Sequence, residues 1–140
     1  MKKLFVIVAC ALALLADEGD LLDDITQADV PQILSIIKEG TKDNLPVMLD
    51  EYTTVFDVVS LQNVIEYKNS INTLNEHIKD ILKTDKKMLF KTILENNKNY
   101  LCNDPEIRPL LRHGAIFVYS FYDLSSIELF RFSIQNKDCQ

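Results

Sequence analysis

The sequence predicts an α+β domain in which an antiparallel sheet of about four strands, built from two hairpins, packs against helices. Three observations predict it. β-branched and aromatic residues crowd positions 52–71, apolar residues recur at helical spacing over 75–101, and aromatic extended chain returns over 115–134.

Ahead of that domain stands a different kind of segment. Met1-Lys2-Lys3 is a short basic start, Leu4 to Leu15 is a nearly unbroken apolar run, and Ala16 gives way to Asp17-Glu18-Gly19-Asp20. This is the layout of a secretory signal peptide. The run falls short of the roughly 20 apolar residues that a membrane-spanning helix needs. Cleavage fits after Ala13, where Ala11-Leu12-Ala13 has the Ala-x-Ala form, or after Ala16. Ile7-Val8-Ala9-Cys10 also resembles a lipobox, in which Cys10 would carry lipid; ordinary cleavage is the favoured reading, because the apolar run continues past Cys10. The expected organisation is a signal peptide at 1–16, an acidic leader at 17–28 and a single α+β domain at 29–140. A working chain of about 125 to 130 residues suffices for one core and not for two.

The formal net charge is −6, and loss of Lys2 and Lys3 makes the mature protein more acidic still. A negative surface argues against nucleic acid or anionic lipid as the main partner. Membrane attachment is expected only if Cys10 is lipidated. With Cys10 removed or lipidated, Cys102 and Cys139 remain. In an oxidising compartment a disulfide is favoured over two unpaired buried thiols. Such a bond closes a loop of about 37 residues, worth about 4 kcal/mol by chain entropy.

Along the domain, Asp29 and Pro31 mark a helix start, Ile33, Leu34, Ile36 and Ile37 its apolar face, and Gly40 its expected stop. Leu45-Pro46-Val47 leads into extended chain. Tyr52 to Val59 and Asn63 to Ile71 read as paired antiparallel strands with a short turn that lacks glycine. Ile78, Ile81, Leu82, Leu89, Ile93, Leu94 and Leu101 follow a helical period, and Thr84-Asp85-Lys86-Lys87 interrupts it with a fresh cap. Asp104-Pro105-Glu106 begins another helix, carrying Ile107, Leu110 and Leu111, with Pro109 bending or shortening it before Gly114. Ala115 to Tyr122 and Ile127 to Ile134 form the second hairpin, turning at Asp123-Leu124-Ser125-Ser126.

In that hairpin Ala115, Phe117, Tyr119 and Phe121 line one face, and Ile116, Val118 and Tyr122 the other. A half-exposed strand alternates apolar with polar, and this one scarcely does. Either helices cover both faces, or the face of Ile116, Val118 and Tyr122 forms part of a groove for a partner.

Leu45-Pro46-Val47, the strand pair, Leu101-Cys102-Asn103-Asp104-Pro105, Leu110-Leu111-x-x-Gly114, Phe117-x-Tyr119-x-Phe121 and the final Asp138-Cys139 together form a recognisable frame. It resembles a group of small exported proteins of Gram-negative bacteria whose best-understood relatives are the beta-class pilotins of type II secretion systems. The resemblance covers roughly residues 44 to 139, and its specific part is Cys102-x-Asp104-Pro105 with the hairpin and Cys139. It implies a helix packed on an antiparallel sheet, a Cys102–Cys139 disulfide, and a binding protein whose partner is a secretin subunit. Pilotins are normally lipoproteins, and this sequence, in which ordinary cleavage is favoured over lipidation at Cys10, departs from the pattern there.

Catalytic signatures are missing from the sequence: no Gly-x-Ser-x-Gly, no His-Glu-x-x-His, no phosphate loop, and three glycines in all. His77 and His113 read as a surface side chain and a helix-end side chain, too few to make a metal site with the cysteines. Arg108, Arg112 and Arg131 are weighed as a carboxylate-binding patch against ordinary surface pairs, which are commoner. No catalytic residue, metal or cofactor is expected. The expected function is that of an exported periplasmic interaction protein, pilotin-like, holding a segment of another envelope protein in an apolar groove. The alternative is a small periplasmic enzyme or enzyme inhibitor acting at the cell envelope, the inhibitor presenting the Asp123 to Ser126 loop.

Overall fold

The computed structural model describes residues 24–140, so the expected signal peptide, the lipobox-like segment and most of the expected acidic leader lie outside the described residues. The last leader residues belong to the fold: Ile25 is buried in the core, and Gln27–Asp29 forms one 3-10 turn. Asp29 does not cap the following helix with its side chain. It instead accepts hydrogen bonds from the Thr26 amide at 2.8 Å and the Thr26 hydroxyl at 3.0 Å. Those bonds, the amide's first, hold its carboxyl below the usual range.

Helix α1 (Val30–Lys42) takes Pro31 in its first turn, where a missing N–H is harmless. It buries Val30, Ile33, Leu34, Ile37 and Thr41, a stripe at helical spacing, and leaves Ile36 exposed. Gly40 is not the stop. The helix runs through it for two more residues, supported by the Thr41 hydroxyl on the Ile37 carbonyl at 2.8 Å.

Five strands form one sheet in the order β1 (Val47–Met48), β2 (Thr53–Leu61), β3 (Val64–Ile71), β4 (Ile116–Tyr122), β5 (Glu128–Ile134). The two expected hairpins are β2–β3 and β4–β5, and two-residue β1 adds a strand to the expected four. Every pair is antiparallel except β3–β4, which is parallel. Parallel neighbours need a long crossover, and here it consists of α2 (Glu76–Thr84), α3 (Lys86–Asn103) and α4 (Arg108–Arg112).

Local chemistry accounts for each break in that crossover. Asn75 caps α2 by accepting from the His77 and Ile78 amides, and Asp85, with φ −153° and ψ 52°, separates α2 from α3 while its side chain accepts from Met88. Asp104 accepts from the Glu106 and Ile107 amides at 2.8 and 3.2 Å, but regular helix starts only at Arg108. Pro109 lacks the N–H needed in a helix interior and is accommodated in a first turn, which shortens α4 to five residues. Gly114, at φ 98°, then turns the chain into β4.

Strand register stacks the core in rows. Ile65, Phe117 and Ile134 form one, Tyr67, Tyr119 and Phe132 the next, and Asn69, Phe121 and Phe130 the third. Tyr119 lies 5.4 Å from both Tyr67 and Phe132, centroid to centroid, and Phe121 lies 4.7 Å from Phe130, all stacked. Phe90 of α3 meets Phe130 and Phe132 edge-on. Helix α1 lies against β2 and β3, α3 against β5, and both feed the same core. A Cys102–Cys139 disulfide, with Cα atoms 5.4 Å apart, ties the end of α3 to the last turn of the chain.

Candidate functional site

The other sheet face carries the side chains that alternate with the core rows. Leu61, Val64 and Ile116 form its first row, and Val59, Glu66, Val118 and Ser133 the second. Asp57, Lys68, Ser120 and Arg131 form the third, and Thr54, Ser70, Tyr122 and Glu128 the fourth. Phe56 is the extra residue of a bulge in β2, between Val55 and Asp57.

Ile116, Val118 and Tyr122 share this face, as the alternation of β4 requires, and all are half-buried. They do not form one continuous apolar strip. Ile116 and Val118 join Val59, Val64 and Leu61, the last 77% exposed, in one patch. Tyr122 stands apart and meets Phe56 edge-on at 5.7 Å.

Between the two patches runs a polar stripe. The fully buried Ser120 hydroxyl donates to Glu66 Oε2 at 2.7 Å, and Arg131 Nη2 lies 3.5 Å from the same oxygen. Arg131 Nε donates to Glu128 Oε1 at 2.8 Å, and that hydrogen bond chiefly holds the guanidinium charged beyond its usual range. The Glu66 side chain is only 14% exposed, whereas Arg131 and Glu128 face water. Pairs at such exposure contribute about 0–1 kcal/mol, so the cluster fixes orientation more than stability.

Lys68 and Glu66 both belong to β3 and share a face by its period of two, a signal present in the sequence. Their position beside Val118 and Ser120 depends on the parallel register, which no local pattern reveals. The three arginines weighed as one patch are not brought together as one. Arg108 of α4 donates to Asn136, while Arg131 sits on the sheet with Glu66 and Glu128. His77 lies 6.3 Å from the Tyr52 ring and His113 ends α4. Among the described residues no group of three or more His, Cys, Asp or Glu is placed to hold a metal ion, and no helix is long and apolar enough to cross a membrane.

No family model and no curated protein sequence matches the chain. Solved structures do match it. A candidate secreted protein of Pseudomonas aeruginosa superposes with a TM-score of 0.66 at 15% identity, over 81% of this chain and 96% of that one. EpsS, the pilotin of the Vibrio vulnificus type 2 secretion system, gives 0.64 at 15% identity over 81% and 96%. The fold is a pilotin fold. AspS, a type II secretion system pilotin of Vibrio cholerae, agrees, with 0.61 at 12% identity over 81% and 94%. The resemblance carried by the Cys102 to Pro105 frame and the aromatic hairpin therefore holds at the level of the pilotin fold.

Proposed function

We propose that this chain is an exported, pilotin-like interaction protein that binds a segment of another envelope protein, a secretin subunit, across its open sheet face. Residues 1–16 direct export, 17–28 lead into the fold, and the working domain acts in the periplasm. It is held at the outer membrane if Cys10 carries lipid. On this reading the protein is not a catalyst. The observation that carries it is an apolar patch around Ile116 and Val118 on the helix-free face of a pilotin fold. Val118 and Tyr122 stand four residues apart along β4, about 13 Å at strand rise. That span equals about nine residues of helix. It suits an amphipathic segment with apolar side chains at both ends and a polar one meeting Glu66 and Arg131.

The test is a binding titration of purified secretin subunit with wild-type protein and with Val118→Asp. The variant is expected to lose binding while keeping its circular-dichroism melt. Equal binding by both proteins overturns the site assignment, and no binding by the wild type overturns the function.

A second reading, an inhibitor of an envelope enzyme, draws on one observation. Exposed Leu124 is displayed on a turn whose backbone is held by Asp123, which accepts from Ser125 and Ile127 at 2.8 and 2.9 Å. In that case Leu124→Asp, not Val118→Asp, abolishes the interaction.

A further inference from the structure

We infer that one corner of the domain, where the β4–β5 turn meets the start of α3, docks on an anionic bilayer surface. This surface is distinct from the open sheet face, and the inference goes beyond the secretin reading. The topology assembles the corner. Helix α3 runs in the same direction as β5: Phe90 near its start lies against Phe130 and Phe132, and Cys102 near its end is bonded to Cys139, beyond the end of β5. Lys86, Lys87 and Met88 therefore extend towards the turn that precedes β5. Every residue from Lys83 to Met88 is exposed, and so is every residue from Leu124 to Glu128.

Two features of the corner fit a bilayer. The first is apolar: Met88 is 56% exposed, Leu124 52% and Ile127 63%, and they stand on a helix start and a turn. Apolar side chains that protrude in this way enter the headgroup boundary without needing a complementary protein surface. The second is electrostatic. Residues 83–91 hold Lys83, Lys86, Lys87 and Lys91 against a single acid, Asp85, in a chain whose formal net charge is −6. None of the four lysines is in an ion pair among the described residues. The acids that share the corner have partners of their own. Asp85 accepts from the Met88 amide, Asp123 from the Ser125 and Ile127 amides, and Glu128 from Arg131. A bilayer with anionic headgroups attracts the lysine cluster and repels the acidic remainder of the chain, so it turns this corner towards itself. Lysine stems reach the headgroups while their apolar neighbours go deeper. A patch of this size binds weakly and is sensitive to salt. It orients the domain and leaves Ile116 and Val118, towards the other end of β4, clear of lipid.

Flotation of the purified, unlipidated mature protein with vesicles tests this. Binding is expected to vesicles of equal parts phosphatidylglycerol and phosphatidylcholine, and to fall by about tenfold or more on phosphatidylcholine alone. The double variant Lys86→Glu, Lys87→Glu reverses two exposed charges and is expected to weaken binding to the anionic vesicles by a similar factor. Leu61→Asp, at the opposite end of the sheet, is expected to leave it unchanged. The chain has no tryptophan, so Ile127→Trp supplies a single fluorophore at the corner. Its emission is expected to move to shorter wavelength when anionic vesicles are added. A wild type that stays off anionic vesicles, an emission that does not move, or vesicle binding that the double lysine variant leaves intact overturns the proposal. If that variant keeps its vesicle binding but loses the secretin subunit in the absence of lipid, the corner is a protein contact instead. Secretin binding through Val118 is read separately, by the titration without lipid.

Discussion

Asn63, in the turn between β2 and β3, donates from Nδ2 to the Gly114 carbonyl at 2.7 Å, and its own carbonyl accepts the Ile116 amide at 2.8 Å. One turn residue thus fastens the first hairpin to the start of the second, at the head of the parallel strand pair. The partners are 51 positions apart, so the contact forms only once the helical crossover has brought β4 home. Asn63→Ala removes the side-chain bond and leaves a part-buried carbonyl without it. The expected cost is about 1–2 kcal/mol in a urea unfolding curve; an unchanged midpoint would show that solvent satisfies Gly114 equally well.

The Cys102–Cys139 bond closes a 37-residue span between the end of α3 and the chain's last turn. Chain entropy gives it about 4 kcal/mol. The double variant Cys102→Ser, Cys139→Ser is expected to unfold at clearly lower denaturant, and reduction of the wild type to bring it to the same midpoint. A midpoint that reduction leaves in place contradicts the prediction.

The core holds a polar group with no hydrogen-bond partner among the described residues, the Tyr67 hydroxyl, buried under the stacked rings of its row. A buried donor left unsatisfied costs about 1–3 kcal/mol. Tyr67→Phe deletes that hydroxyl and keeps the stacking, so it is expected to raise stability by about 1 kcal/mol. A clear loss of stability would mean the hydroxyl is satisfied, for instance by an internal water.

Burial also raises the ionisation of Tyr67 and Tyr119 above the usual phenol range, each pushed further by neighbouring tyrosines, and burial lifts Tyr100 to about 12. For a phenol the protonated form is neutral, so a raised folded value stabilises the fold. That contribution is complete below the unfolded value near pH 10 and is lost as pH climbs above it, at about 1.4 kcal/mol per pH unit for each buried phenol. In a variant with Tyr52→Phe and Tyr122→Phe, which leaves Tyr67, Tyr100 and Tyr119 as its phenols, unfolding and the rise of phenolate absorbance should therefore coincide above pH 10; phenolate appearing in that variant while it is still folded would contradict the assignment.

The hairpins were legible because β-branched and aromatic runs alternate over enough residues to define a face, and the inward set Phe117, Tyr119, Phe121 follows directly from that period. The break at Asp85 was legible because a capping residue interrupts an apolar stripe. Strand β1 was not, since two residues carry no period, and the cross-strand pairing of Val47 with Val55 supplies what local sequence lacks. Gly40 misled because the buried stripe runs on to Thr41, and packing outweighs the roughly 1 kcal/mol preference against a helical glycine. The candidate site was half legible. Alternation put Ile116, Val118 and Tyr122 on one face, but the bulge at Phe56 and the parallel register of β3 on β4 decide what lies beside them. Those are long-range relationships, and they divide the expected groove into two apolar patches with Glu66, Ser120 and Arg131 between them.

The most direct test of the proposed role is site-specific photo-crosslinking in cells that express the secretin subunit. A photoreactive side chain is placed at Val118 on the open face, or at exposed Ile36 on the helical side. An adduct with the secretin subunit is expected from position 118 and none from position 36. An adduct from position 36 alone would place the partner on the helices and contradict that role.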